Sequence, residues 1–536
     1  RNLAGSIIAH DHYEPNEAVR GIYTMEFWPT DPVTFEYVSL AYNLIYENMP
    51  FAKDKLFYHA PGETQRALYE AEKELYEASS VAVIQTEELF GNVNYAALTT
   101  GEAYGQLKIV EGPQTVSVRD IVIYRTIPNT LSRVAGIITE IPQTPLSHVN
   151  LKAKQNNTPN AYIKAVATSE EVLALAGKYV HFVVQPEGYI LEEASFEDVN
   201  SFFESLRPKE PQFPPRNLSV STIAPLSEIG FGDSNSYGAK AANVAELAKF
   251  LPTGMVPDGF AIPFYFYDEF VKYNGFYDMA VDMMSEPEFQ NDAAIRDKRL
   301  DDFRETIRDS VFLPDWMLDA LQMMHQSFEA GTSLRCRSST NNEDLPNFNG
   351  AGLYDSYTHY PHEGHIAKSM KQVWASLWTY RAFEERDFYR VDHLQAAMGV
   401  LVHPNYKNEL ANGVGVTKNI YDPNWLGYYV NVQVGEDLVT NPQEYSMPDE
   451  FLVADLMGEE RYEIQYIRHS NLIPAGEHIL TKEQIFELAD MMRLIRIHFM
   501  QLYGISRTDR DFAMEIEFKI TAEGHLNIKQ ARPWID

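Results

Sequence analysis

The chain is expected to be a multidomain protein of mixed α/β and α+β class, on three observations. Its 536 residues exceed what one core usually serves, and 45% hydrophobic with 12% aromatic content is ample for several. Strand-like runs alternate with long helical patterns from about residue 218, whereas residues 1–112 mix short helices and strands. Between the two, Pro208, Pro211, Pro214 and Pro215 punctuate a polar stretch that reads as an extended, semi-rigid linker. The expected division is 1–112, an α+β module; 113–197, a smaller α/β domain; 198–217, the linker; and 218–536, a large α/β domain.

In the first module, Asp31-Pro32 has the N-cap then first-turn arrangement of a helix start, and Met49-Pro50 marks its stop. A second helix, rich in Glu, Ala and Leu, is expected over Thr64 to Ser79. His10-Asp11-His12 offers two histidines at i, i+2 with no identifiable third ligand, and is read as surface. In the second domain, Val116 to Tyr124, Val134 to Ile138 and Tyr179 to Val184 are strand-like. In the third, Lys371 to His393 is among the clearest helical patterns, with Trp374 and Trp378 stacked at i, i+4 as core.

Composition narrows the function. A formal charge of −32 argues against general nucleic-acid or anionic-membrane binding, which needs basic surface. Phosphate chemistry must then use locally gathered Arg and Lys. No apolar run reaches the about 18 residues that span a bilayer, so no membrane span is expected. The single cysteine, Cys336, leaves no internal disulfide and fits a reducing, cytoplasmic setting. Arg335 and Arg337 beside it make a reactive thiol conceivable, but a buried strand filler is preferred. The chain opens at Arg1 without Met, so residues upstream are expected.

The most informative residue is His148. It comes after the turn Ile141 to Pro145, whose prolines break a helix, and Ser147 is a good N-cap for a helix starting there. His148 is thereby placed in a first helical turn, where free N–H groups and the helix dipole favour an anion. A phosphate on the imidazole would be stabilised there. The wording Leu146-Ser147-His148-Val149 to Ala153-Lys154 resembles the swivelling phosphohistidine domain of the dikinases, namely phosphoenolpyruvate synthase, pyruvate phosphate dikinase and the α-glucan water dikinases. Lys154 stands for the usual arginine, and Gln143-Thr144-Pro145 for the usual Gly-Gly.

Five later segments resemble, in family order, the ATP-grasp nucleotide-binding domain of these enzymes. Gly238-Ala239-Lys240 opening a helix to Leu247 is similar to the family's glycine-lysine motif, which assigns Lys240 to nucleotide phosphates. Leu334-Arg335-Cys336-Arg337-Ser338-Ser339 with Glu343-Asp344 and Gly352-Leu353-Tyr354-Asp355 is the most specific match, and Arg337 suits bidentate phosphate binding. Val373-Trp374-Ala375-Ser376 to Arg381-Ala382 offers Arg381 as a second phosphate ligand. Gly413 to Asn419 with Gly435-Glu436 offers Thr417, whose hydroxyl would serve a phosphate or a metal-bound water. Val402-His403-Pro404 stands where the family often has Val-Gln.

Last comes Met514-Glu515-Ile516-Glu517 followed by Gln530-Ala531-Arg532-Pro533. Strand alternation puts Glu515 with Glu517, and Gln530 with Arg532, on one face each, so a hairpin would gather all four. Two carboxylates and an amide oxygen suit a hard Mg²⁺ ion. Glu515 replaces the family's more usual Asp.

The resemblance, over 113–536, implies a swivelling phosphohistidine domain, an ATP-grasp domain and a family-specific first module. It implies an ATP- and Mg²⁺-dependent phosphotransferase in which His148 becomes phosphorylated, AMP is released, and an acceptor, glycan or small molecule, takes the phosphoryl group. Metal ligation falls to Glu517 and Gln530, assisted by Glu515, and charge stabilisation to Lys240, Arg337, Arg381 and Arg532. Two other readings stay open: a self-phosphorylating carrier that delivers to another protein, and a degenerate nucleotide-binding scaffold. No phosphoenolpyruvate-handling barrel is expected after Asp536, and phosphoenolpyruvate synthesis is accordingly not the expected reaction. Oligomeric state is not expressed in the sequence.

Overall fold

The structure is a computed structural model that describes residues 5–10, 13, 21–27, 33–60, 63–85, 88–89, 94–110, 116–125, 133–140, 149, 153, 157–310, 312–343, 345, 348, 353–420, 425–436, 448–456, 461–470, 472–474 and 477–534. The chain divides into two compact units, Arg1–Arg207 and Pro208–Asp536. No helix among the described residues is long and apolar enough to cross a membrane.

The first unit holds two sheets. Strands β1 (Gly5–His10), β2 (Ile22–Phe27) and β3 (Leu56–Tyr58) form the smaller, β1 antiparallel and β3 parallel to β2. Helix α1, Phe35–Asn48, makes the crossover and buries Val38 and Tyr42. Thr34 holds the N-cap position and Met49 the C-cap; Asp31 and Pro32 lie outside the described residues. The expected second helix is broken in two, α2 (Glu63–Ala71) and α3 (Lys73–Glu77). Its partner surface is the aromatic cluster in which Tyr76 stacks on Tyr58 and meets Tyr69 edge-on. His10 is tied into the sheet, its Nε2 2.8 Å from the Thr24 hydroxyl, which in turn donates to Glu26.

The larger sheet has seven strands: β4 (Tyr95–Thr99), β5 (Gly101–Val110), β6 (Asp120–Tyr124), β7 (Gly136–Thr139), β8 (Asn160–Ile163), β9 (Tyr179–Gln185) and β10 (Gly188–Glu193). Their order is β10-β9-β5-β6-β7-β8-β4, with β5 to β8 parallel. Every residue of β6, β7 and β8 is buried, as a parallel centre covered on both faces requires. The expected boundary at residue 112 therefore falls too late. Strand β5 buries Ala103, Gly105 and Leu107 in alternation and is hydrogen-bonded along its two edges by β6 and β9.

The expected linker also differs. Residues 198–206 belong to helix α4, Phe196–Leu206, whose N-cap Ser195 makes a reciprocal capping box with Asp198. The proline stretch is docked on the second unit rather than spanning open space. Gln212 exchanges backbone hydrogen bonds with Arg390 and Asp392, and Arg216 donates to the Tyr277 hydroxyl at 3.0 Å. Proline fixes the extended backbone, and the carbonyls and amides between prolines then find partners there.

The second unit is built on two antiparallel sheets. Strands β11 (Ala224–Pro225), β12 (Phe260–Ile262), β13 (Leu334–Thr340), β14 (Ser356–His359) and β15 (Met398–Pro404) run in the order β11-β12-β15-β13-β14. Helix α5 (Ala239–Leu247) lies between β11 and β12 in the chain, and α6 (Ala367–Ala375) and α7 (Tyr380–Phe388) between β14 and β15. The helix expected over 371–393 is thus split by a 3₁₀ turn at Ser376–Trp378. Trp374, before the break, and Trp378, the last residue of the 3₁₀ turn, are buried all the same in the core under this sheet.

Strands β16 (Ala411–Val416), β17 (Gly427–Val434), β18 (Asp449–Asp455), β19 (Tyr462–Arg468), β20 (Met514–Ile520) and β21 (Leu526–Pro533) form the second sheet, ordered β19-β18-β17-β16-β20-β21. Helix α8, Lys482–Leu502, packs Met492, Ile495 and Phe499 against Met514, Ile516 and Phe518. Alternation then turns Glu515 and Glu517 to the opposite face. Mixed layers of this kind, with one helix-backed sheet in each half, are the two-lobed ATP-grasp arrangement.

Candidate functional site

Helix α5 begins at a position only glycine fits. Gly238 has φ +88°, and a Cβ there would stand 2.3 Å from the Ser339 carbonyl oxygen. That approach lets the Ala241 amide donate to the Ser339 hydroxyl at 3.0 Å, fastening the helix start to β13. At its other side α5 is tied to β21, with the Asn243 amide donating to the Ala531 carbonyl at 3.1 Å. One helix thereby bridges both sheets. Gly238→Ala is expected to destabilise the chain by about 1–3 kcal/mol, the usual size of such backbone strain, as read from urea unfolding.

Lys240 is placed by this anchor. Its ammonium donates to the Ser338 carbonyl at 2.8 Å and lies 3.3 Å from a Glu343 oxygen. Burial lowers its pKa, with Arg337 adding to the effect and Glu343 opposing it. On β13, Arg337 is 7% exposed and reaches across to the second sheet. Its guanidinium donates to the Lys529 carbonyl at 2.9 Å, to Glu517 Oε2 at 2.9 Å and to Gln530 Oε1 at 2.8 Å.

The β20–β21 hairpin pairs Glu515 directly with Arg532, and Glu517 with Gln530. Arg532 donates to Glu515. The four residues named from strand alternation therefore do converge, and Arg337 and Lys240 join them. A fourth cation, Lys529, escapes strand alternation. The register slips after Glu517, so that Phe518 pairs with Ile528 and Lys529 becomes the extra residue of a bulge. Simple alternation would turn it away from Gln530, yet its ammonium is 3.9 Å from Glu517. Burial lowers its pKa to about 8, with Glu517 opposing.

The charge arrangement is cationic with embedded carboxylates: Lys240 with Glu343, Arg337 and Lys529 with Glu517, Arg532 with Glu515. Burial alone would raise the Glu517 pKa, but Arg337, Lys529, Lys240 and Arg532 outweigh it and hold the carboxyl at about 2. Stability from this depressed group is complete above its ordinary 4.5 and is lost as pH falls towards about 2. Acid unfolding is expected to begin at higher stability in the wild type than in Glu517→Gln, and the two curves should converge below that window. A chain whose acid limb is unchanged by Glu517→Gln would contradict the assignment.

Two expected ligands are placed elsewhere. Thr417 is 2% exposed, and its hydroxyl accepts from the Met514 amide at 2.8 Å while its own amide donates to the Met514 carbonyl at 2.9 Å. It clamps the end of β16 to β20 instead of serving a phosphate. Thr417→Val should cost about 1–3 kcal/mol by leaving a buried donor unpaired, while the rate of AMP formation stays near that of the wild type. Arg381 stands exposed in the first turn of α7, with no contact to the cluster. The buried arginine of that helix is Arg386, which donates to the Tyr354 hydroxyl at 3.4 Å.

His403 of β15 is buried beside the cluster. Its Nδ1–H donates to the Pro404 carbonyl at 2.8 Å, and burial, reinforced by Arg337, holds its pKa at about 3. Cys336, between Arg335 and Arg337, points the other way into the core. Burial pushes its thiol up to about 12 against the pull of Arg335, so the reactive-thiol reading fails. His148 lies outside the described residues. Its neighbours Val149 and Ala153 are fully buried against Val122 and Ile137, the apolar side expected of that segment.

Residues 234–535, more than half of the chain, match the family described as pyruvate phosphate dikinase, AMP/ATP-binding domain. The chain belongs to this family. Within the AMP/ATP-binding domain lie Lys240, Arg337, Arg381, Thr417, Glu515, Glu517, Gln530 and Arg532. Among curated proteins, the chain is 26% identical over 342 residues to the phosphoenolpyruvate synthase of Synechocystis, covering 58% of this chain and 41% of that protein. It is 25% identical over 355 residues to the phosphoenolpyruvate synthase of Escherichia coli, covering 59% and 42%. With the rifampicin phosphotransferase of Bacillus cereus it shares 24% identity over 277 residues, covering 49% and 31%. The chain spans less than half of the length of each of these relatives.

Proposed function

We propose that the chain is an ATP-dependent, dikinase-type phosphotransferase that carries its phosphoryl group on His148. The observation that supports this most strongly is the convergence of Lys240, Arg337 and Arg532, from three elements, on the paired Glu517 and Gln530. Such a cluster can neutralise nucleotide phosphates and stabilise charge on a transferring group in a site it already orders.

The donor set of Glu517, Gln530 and, one pair along, Glu515 has the oxygen chemistry for Mg²⁺. In the structure a cation already bridges Glu517 and Gln530, the Arg337 guanidinium, so the pair fits positive charge. Bound there, Mg²⁺ would neutralise the nucleotide phosphates. Lys240 and Arg532 flank the same place and would orient the phosphate chain, and Arg337, turned from its carboxylate, would bridge phosphate oxygens bidentately.

On this reading the His148 imidazole attacks phosphorus, the bond to the AMP oxygen breaks, and the imidazole gives up its proton as the nitrogen–phosphorus bond forms. Water or phosphate takes the other phosphoryl group. The phosphohistidine then serves an acceptor, a glycan or small molecule, bound by residues 1–112. Incubation with ATP and Mg²⁺, following AMP and acid-labile phosphoprotein, tests the reading. Absence of both products would leave a nucleotide-binding scaffold.

A further inference from the structure

On the opposite side of the six-stranded sheet from Glu515 and Glu517, a cavity of about 210 Å³ opens between α8, the ends of β16 to β18, and the loop 505–511. Its lining is unusual for so acidic a chain. Lys418, Arg493, Arg496, Arg507 and Arg510 all border it, and Asp455 is the one carboxylate among its described lining residues.

Arg496 donates to the Asp509 and Phe512 main-chain carbonyls at 2.8 and 3.1 Å, which holds the loop to α8, and the Asp509 carboxylate offsets part of the charge of Arg496 and Lys418. Arg493, Arg507 and Arg510 are exposed and have no ion-pair partner among the described residues. Asp455 is occupied in part by the Tyr428 hydroxyl at 3.4 Å. Gathering cations in one concavity costs repulsion, and low-dielectric walls focus the resulting potential on any anion that enters.

We propose that this cavity is a binding site for a small phosphate anion, separate from the nucleotide cluster. Arginine forks suit tetrahedral phosphate oxygens, and several around one cavity can engage two phosphate groups or one group from two sides. The volume lies below the about 300 Å³ at which drug-sized pockets begin, which selects pyrophosphate, phosphate or a compact monoester over a dinucleotide. Trp425, 55% exposed at the rim, gives an organic substituent an apolar surface to lie on. Neither the cavity nor its charge depends on the proposed dikinase reaction.

The test is calorimetric titration of the full chain with pyrophosphate, inorganic phosphate and a hexose monophosphate in turn. Saturable binding of at least one is expected. Arg493→Ala with Arg507→Ala should weaken it about tenfold or more, the loss typical of truncated charged contacts. If circular dichroism shows the double variant unfolded, Arg510→Ala on the exposed loop carries the same comparison. The hexose monophosphate binding more tightly than phosphate would identify an ester as the ligand, and the reverse order a free phosphate. Absence of saturable binding, or binding kept in the double variant, overturns the proposal. Failure of ATP turnover in the same preparation bears only on the dikinase reading.

Discussion

Arg337→Ala is expected to form AMP from ATP some 10² to 10³ times more slowly than the wild type, the loss typical of removing one preorganised charge from a transition state. The side chain also joins the two sheets at the site, so its removal acts on the fold as well as on the chemistry. It leaves Glu517 without its nearest cation and Gln530 Oε1 without a donor. Loss of one partner of a largely buried ion pair costs up to about 3–5 kcal/mol. Arg337→Lys separates the two roles. A lysine keeps one charge but cannot reach Glu517, Gln530 and the Lys529 carbonyl together. Stability should therefore recover further in Arg337→Lys than AMP formation does. Rapid AMP formation by a folded Arg337→Ala chain would remove this residue from the proposed chemistry.

The second large effect is expected at His148. After incubation with ATP and Mg²⁺, intact-mass measurement should show a phosphate adduct on the wild type and none on His148→Ala. Acid treatment should remove the wild-type adduct, as a phosphorus–nitrogen bond requires. The buried Val149 and Ala153 anchor the segment without the imidazole, so the variant should fold. An undiminished adduct in His148→Ala would end the assignment, and peptide analysis would then locate the true acceptor.

Legibility in the sequence depends on which residues obey local periodicity. The hairpin of Glu515, Glu517, Gln530 and Arg532 is legible because alternation in two short strands fixes faces and the turn fixes pairing. Lys529 is not, because a bulge is a property of the pair and leaves no mark in one strand's pattern. The Thr417 hydroxyl is misassigned because a buried backbone amide at Met514 competes for it, a partner 97 residues away. The motif around Arg381 is sound as core packing through Trp374 and Trp378, yet a 3₁₀ turn redirects the helix after it. The early boundary fails for a similar reason. Strand β5 joins the seven-stranded sheet through partners that lie later in the chain, which local composition does not reveal.

The position of Cys336 has a practical consequence for measuring this protein. It is the chain's single cysteine, it sits at 0% exposure in the strand that carries Arg337, and its thiol is almost wholly protonated at neutral pH. An alkylating reagent can reach it only after that strand has parted from its sheet, so uptake of label counts openings. Time courses in native buffer, with and without nucleotide, would thus weigh whether ATP changes how often this half of the molecule opens, by mass spectrometry and without any engineered probe.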